Sequence, residues 1–424
     1  MDAASGPVSV CTHSTDEKMG GHSMSGIGPF TNRYEAPGAS RTKGKHLAWG
    51  AAAAALVLGL VVTMFPMAAG ASGTWSISSS PNQGNKANVL YDVSCVSTTS
   101  CKAVGHYTTS GNVQRTLVES WNGRSWTVQA SPNVGASTNW LTSVSCLSTT
   151  WCEAVGFSQA TSSSAQRTLV EFWNGSAWTV SSSPNKTTGN NDLYGVSCAS
   201  TTSCKAVGPY YNGTYYQALI ESWNGTSWTI SGHPNVGAKG DVLNTVSCVS
   251  AISCKAVGDS TNSGSISATL IESWNGTSWS VATSPNVGTG NNLLFGVSCA
   301  SSSCRAVGYA TNTSNVFRTL AESWNGTAWT VASSPNRGTG TNVLNRVSCV
   351  SASSCWAVGV YVNSSGTKRT LTQSWGTSWT IASSPNNGTG DNDLYNVSCV
   401  SGPACWAVGY SVVGGVQRTL IEHY

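Results

Sequence analysis

The chain has 424 residues and a formal net charge of +4, with charged side chains at only 9% of positions, against an average near ~25%. No Lys/Arg run occurs in its body, which argues against the clustered cations of a nucleic-acid footprint. Eighteen tryptophans against six phenylalanines and five methionines point to many small rigid packing units in place of one aliphatic core.

Residues 1–46 are rich in Gly and Ser, carry charges of both signs and show no apolar period. They read as a disordered cytoplasmic leader. Arg41, Lys43 and Lys45 then precede an uncharged run, residues 47–71. Its first part, residues 47–65, reaches the low end of a membrane-spanning length, and the flanking cations place the N-terminus in the cytoplasm. Ala69, Gly70 and Ala71 resemble a small-residue cleavage site. The segment is therefore either a signal-peptide apolar region or an uncleaved transmembrane anchor helix that ties the protein to the membrane through residues 47–65. Both readings export residues 72–424 to the extracellular side or the cell surface.

The exported part repeats. Cys11 stands alone in the leader; the other cysteines form pairs Cys95/Cys101, Cys146/Cys152, Cys198/Cys204, Cys248/Cys254, Cys299/Cys304, Cys349/Cys355 and Cys399/Cys405. Successive first members lie 50 to 52 residues apart. Within a unit the first strand ends at V-S-C, as in 90–96, and the second starts at the other cysteine, as in 101–107. The third is R-T-L-V-E-S-W, 115–121, and the fourth S-W-T-V, 125–128. Asn122-Gly123 joins the last two as a tight hairpin turn. A Ser-Pro-Asn step then takes the chain out of the sheet. Four antiparallel strands at this period predict an all-β fold: one seven-bladed β-propeller over residues 72–424. The first exported residues, 72–82, read as a lone fourth strand, and the last unit stops at Tyr424 without one. Together they complete one blade, so the ring is expected to close by pairing its two ends. In the copy Glu221 to Ile230, Trp223 and Trp228 are expected to wedge between neighbouring blades.

These units resemble bacterial secreted β-propeller repeat proteins. The W-N-G turn is similar to the Asp-box turn of sialidase-type propellers, S-x-D-x-G-x-T-W. Here Ser222-Trp223-Asn224-Gly225-Thr226-Ser227-Trp228 is one residue shorter and has Asn for Asp. The resemblance spans residues 72–424 and implies a fold without a defined activity. The arginine cluster, tyrosine–glutamate pair and acidic base of sialidases have no residue-by-residue match, so their chemistry is not carried over.

The cysteine pairs read as disulfides within each blade, since the body has only three scattered histidines, His106, His233 and His423, to suggest metal. Arg115/Glu119, Arg167/Glu171, Arg318/Glu322 and Arg418/Glu422 share a strand face and are expected to pair in the blade interior. Gln217 and Ala268 replace the Arg in two blades and Gln373 the Glu in another. Asp192, Asp391 and Asp393 are placed in blade-joining loops, where turn chemistry explains them better than calcium. The tyrosines Tyr210, Tyr211, Tyr215 and Tyr216 crowd one hairpin, a candidate ligand contact. Trp356 and Trp406 stand where other blades carry Lys, Glu or Arg, and fit either ligand stacking or packing against a neighbour. No catalytic residue, cofactor or metal is assigned. The expected role is a monomeric, non-enzymatic binding or scaffold module that contacts glycan or a surface protein through inter-blade loops and the central opening. The alternative is a sialidase-like polysaccharide hydrolase or lyase.

Overall fold

The computed structural model describes residues 73–424; the leader 1–46 and the apolar run 47–71 lie outside the described residues. The described part is strand and loop, with no helix among its residues. It forms seven four-stranded antiparallel sheets. Strand β1 (Ser76–Ser78) opens the chain, and blade 1 follows as β2 (Asn88–Ser97), β3 (Ser100–Thr108), β4 (Gln114–Trp121) and β5 (Trp126–Gln129). Blades 2 to 7 repeat the pattern. The last strand, Val416–His423, is edged by β1, with Ser76 opposite His423 and Ser78 opposite Ile421. The ring is closed as the two chain ends predicted.

The repeated residues account for the geometry. First strands carry an irregularity after the inward-facing Leu, in blade 1 between Leu90 and Asp92. The Gly of A-V-G permits it: a Cβ on Gly105 would sit 1.9 Å from the Val89 carbonyl. The Ser of V-S-C accepts from the next blade's first Cys, as Cys146 N–H to Ser94 Oγ at 3.0 Å. The same bond at the seam, Cys95 N–H to Ser398 Oγ at 3.0 Å, ties blade 1 to blade 7.

All seven expected disulfides are present: Cys95–Cys101, Cys146–Cys152, Cys198–Cys204, Cys248–Cys254, Cys299–Cys304, Cys349–Cys355 and Cys399–Cys405. They belong to the core and form no surface site. The second member of each pair, Cys101, Cys152, Cys204, Cys254, Cys304, Cys355 or Cys405, is buried and packs in an apolar cluster between blades. The first members are half-buried, except Cys198, which is buried too. The reason is strand direction. The second cysteine opens the second strand on the face turned to the neighbouring blade, beside the wedging indole, as Cys101 lies with Trp126. A sulfur bridge there supplies apolar volume as well as a covalent staple.

Seven apolar clusters sit between adjacent blades, and one more lies on the axis. Trp228 packs with Val155 and Val170 of the preceding blade, the wedge expected of it. Trp223 is only half-buried and donates to the Thr201 carbonyl at 3.0 Å. The W-N-G turn differs in detail from a two-residue hairpin with both residues at positive φ. Only the glycine has it, at 90° for Gly123, while Asn122 Oδ1 accepts from the N–H groups of Arg124 and Ser125.

Candidate functional site

First strands touch one another around the axis, and their side chains fill it. Tyr91, Trp140, Phe295 and Tyr395 form a buried aromatic plug, with His106 stacked on Trp140 at 4.3 Å. Beside it Asp92 accepts from Ser143 Oγ at 2.5 Å and Val144 N at 2.9 Å, and Asn396 Nδ2 also donates to it. Burial raises Asp92 to about 6, with the Arg346 guanidinium pulling it back down. Burial lowers His106 to about 3. Among the described residues, buried side chains therefore occupy the axis where a central opening was expected to form part of the contact surface.

The expected Arg–Glu pairs do not form. Arg115 reaches out to the loop leading into blade 2 and donates to the carbonyls of Gly135, Ala136 and Ser137 at 3.1 to 3.5 Å. Arg167, Arg318, Arg369 and Arg418 clamp the corresponding loops. Glu119 lies instead in the blade boundary, fully buried, where Ser80 Oγ donates to its Oε2 at 2.9 Å. Burial pushes its carboxyl up to about 8. At the boundary between blades 3 and 4 His233 replaces the serine, and its Nδ1 stands 3.4 Å from Glu272 Oε1.

Of the acids expected in loops, Asp393 lies instead on the first strand of blade 7, Asn392–Ser401. Asp192 does lie outside the strands, ahead of Gly195–Ser200, and both side chains are buried. Burial raises Asp192 to about 8 and Asp393 to about 7. Asp391 keeps its loop position and accepts from the N–H of Lys368, the first residue of the strand Lys368–Trp375, at 2.9 Å. Among the described residues no group of three or more metal-ligating side chains gathers. Trp356 and Trp406 are buried: Trp406 packs 4.6 Å from Trp121, and Trp356 4.4 Å from Tyr424. Their position faces the next blade. Elsewhere Lys102, Lys205, Lys255 and Arg305 lie over the indoles of Trp173, Trp274, Trp324 and Trp375 there.

The candidate site lies on the face that carries the blade-joining loops, over blades 2 to 4. A cleft of about 790 Å³ opens there. Tyr211, Tyr215 and Tyr216 line it, with Gln166 and Asn190 on one side and Lys239 and Asp259 on the other. Tyr210, the fourth of the candidate tyrosines, packs instead against the core between blades 2 and 3. Tyr215 is 38% exposed. Tyr211 and Tyr216 stand edge-tilted at 5.4 Å, and Asn190 Nδ2 donates to the Tyr216 hydroxyl at 3.1 Å. Blade 3 is irregular at this point. Pro209 occupies its second strand, and the first strand is regular only over Gly195–Ser200, because proline has no N–H to give the ladder. A second cleft of about 730 Å³ lies between blades 4 and 5, lined by Ser265, Ile266, Val287, Thr289, Asn312 and Asn315 among others. Sequence reasoning found three tyrosines of the first cleft and missed the second entirely. Its signal was present in the loss of the repeated Arg at Gln217 and Ala268.

No family model matches the chain, and no curated protein does. Solved structures do. One, described as YCF48 bound to D1 peptide, is 12% identical, with 83% of this chain and 97% of that chain covered at a TM-score of 0.51. Another, a protein of unknown function from Dyadobacter fermentans DSM 18053, is 10% identical, covering 82% and 97% at a TM-score of 0.45. At such identity the first likeness concerns the propeller fold alone.

Proposed function

We propose that residues 73–424 act as an exported, non-enzymatic binding or scaffold module at the cell surface, contacting a glycan or a protein segment through the cleft over blades 2 to 4. The observation that carries this reading is the set Tyr211, Tyr215 and Tyr216 on an open cleft, in a ring whose other aromatics are mostly spent on packing. Clefts lined by aromatics with a few polar groups are the usual form of a recognition site. Seven disulfides suit an oxidising compartment, which agrees with export directed by the segment 47–71. The propeller YCF48, a structural neighbour, is described as holding a peptide, a use of the same fold that supports a binding role here.

The test is a glycan array and a peptide array probed with the exported protein and with its Tyr215→Ala/Tyr216→Ala variant. Binding to at least one class, weakened about 10-fold or more by the substitutions, is the expected result. Binding indifferent to the tyrosines, or turnover of a chromogenic glycoside, would overturn it. Mass spectrometry of the exported form decides between a cleaved signal and an anchor.

A further inference from the structure

Five blades hold the loop to the next blade with an arginine: Arg115, Arg167, Arg318, Arg369 and Arg418. Two do not, since Gln217 and Ala268 stand at that position. The loops they leave unclamped, 235–240 and 286–291, each border a cleft, the first facing Gly189 and Asn190 of the loop that Arg167 holds. The clefts adjoin. Lys239 lines the first and Ser265 the second, and Lys239 Nζ donates to Ser265 Oγ at 2.8 Å.

We infer that both clefts form one groove for a linear, uncharged glycan that passes over the Lys239–Ser265 bridge, with loss of the arginine clamp in blades 3 and 4 as what opens it. This rests on the binding function proposed above. The groove offers tyrosine faces in one half, and amides and hydroxyls such as Gln166, Asn190, Asn312 and Thr313 along its length. Such a lining matches a sugar chain, which alternates apolar C–H faces with hydroxyl rims. The ions nearby are already engaged. Lys239 is held by Ser265, Arg318 donates to the carbonyls of Thr339 and Gly340, and Asp259 is buried. An anionic polymer therefore finds no free cation cluster. Neither neighbouring outer-edge strand, Trp228–Ile230 or Trp279–Ala282, lines the groove, so an extended peptide has no ladder to join.

Restoring the clamp tests this with side chains that sibling blades already tolerate. Calorimetric titrations use the full exported protein, with cellohexaose and hexa-N-acetylchitohexaose as neutral probes and their trisaccharides as short ones. Hexagalacturonate serves as the anionic probe and a 12-residue Gly/Ser/Asn peptide as the polypeptide. Melting curves confirm that each variant folds. The expected result is binding of at least one neutral hexasaccharide, about 10-fold tighter than its trisaccharide. Ala268→Arg should remove that advantage and leave the trisaccharide bound, and Gln217→Arg should abolish both. Hexasaccharide affinity unchanged by Ala268→Arg would overturn the inference, as would preference for hexagalacturonate. Tyr215-dependent binding of the peptide, with no sugar bound, would overturn the glycan inference and leave the binding function standing. If no probe binds, both fall.

Discussion

Ser334 donates to the amide oxygen of Gln373 at 2.9 Å across a blade boundary, where the next boundary has Ser384 donating to Glu422 at 2.7 Å. Gln373 Nε2 also donates to the Pro335 carbonyl at 2.9 Å. A carboxylate cannot make that second bond, whereas a carboxylic acid can. One blade thus carries the neutral isostere of what burial imposes on the others. It raises Glu119, Glu171, Glu221, Glu322 and Glu422 to about 8, so these buried acids are mostly protonated at neutral pH.

Stability should therefore fall as pH rises. A glutamate whose folded pKa is raised from 4.5 to about 8 stabilises fully below the unfolded value, and that contribution is lost as pH climbs through the folded one. With several such groups, calorimetry should show Tm lower by on the order of 10 °C at about pH 8.5 than at about pH 5. Glu119→Gln, which copies Gln373, should hold stability at neutral pH and flatten part of the slope. An unchanged Tm across that range would show the acids to be ionised in place.

Why the sequence misassigned Glu119 is a matter of length. Arg115 and Glu119 share a strand face, but four residues along a strand span about 13 Å, too far for an ion pair. Arg115 meets the loop above and Glu119 the boundary below. Seven units, closure by the termini and the disulfide pairs were legible because each blade repeats the same contacts. The second cleft was not, since it arises from what Ala268 omits. Trp356 and Trp406 were ambiguous because the same position elsewhere holds lysine, and only packing shows that Lys102 spends its charge on the face of Trp173 at 4.1 Å.

That position yields a stabilising substitution. Glu153 occupies it in blade 2, buried, with its carboxyl raised to about 8 by burial and Oε2 without a hydrogen bond. By the ring's repeat it faces blade 3, where Trp223 is the equivalent indole. Glu153→Lys should restore the cation–π contact seen in blades 1, 3 and 4 and gain roughly 0.5–2 kcal/mol. Urea unfolding at neutral pH measures it, and a loss of stability would count against the equivalence of the sites.

Each disulfide bridges the first and second strands of a blade across a short hairpin, with a sequence separation of 6 in all but Cys299–Cys304, where it is 5. So small a loop limits the entropy removed from the unfolded chain, to about 2 kcal/mol per bridge. Replacing Cys198 and Cys204 together by Ala should cost that much plus the packing of two buried sulfurs, about 3–5 kcal/mol in all, and leave a folded ring. Full reduction should lower Tm far more. A single pair whose loss prevents folding would show that the bridges act as more than local staples.

Ring closure can be weighed against an ordinary blade junction. Trp75, just ahead of β1, is 5% exposed and meets Trp356 edge-on at 5.2 Å. Trp178 holds the same place in blade 2, 5% exposed, and packs with Val104 and Val118 of blade 1. One junction is spanned by a continuous blade and the other by residues from opposite ends of the chain, yet both bury a large aromatic to the same depth. Trp75→Ala and Trp178→Ala should then each cost about 3–5 kcal/mol, agreeing within about 1 kcal/mol in denaturant unfolding. A neutral Trp75→Ala beside a costly Trp178→Ala would mean that the termini are only loosely joined in solution, and the ring would have to be described as open at that seam.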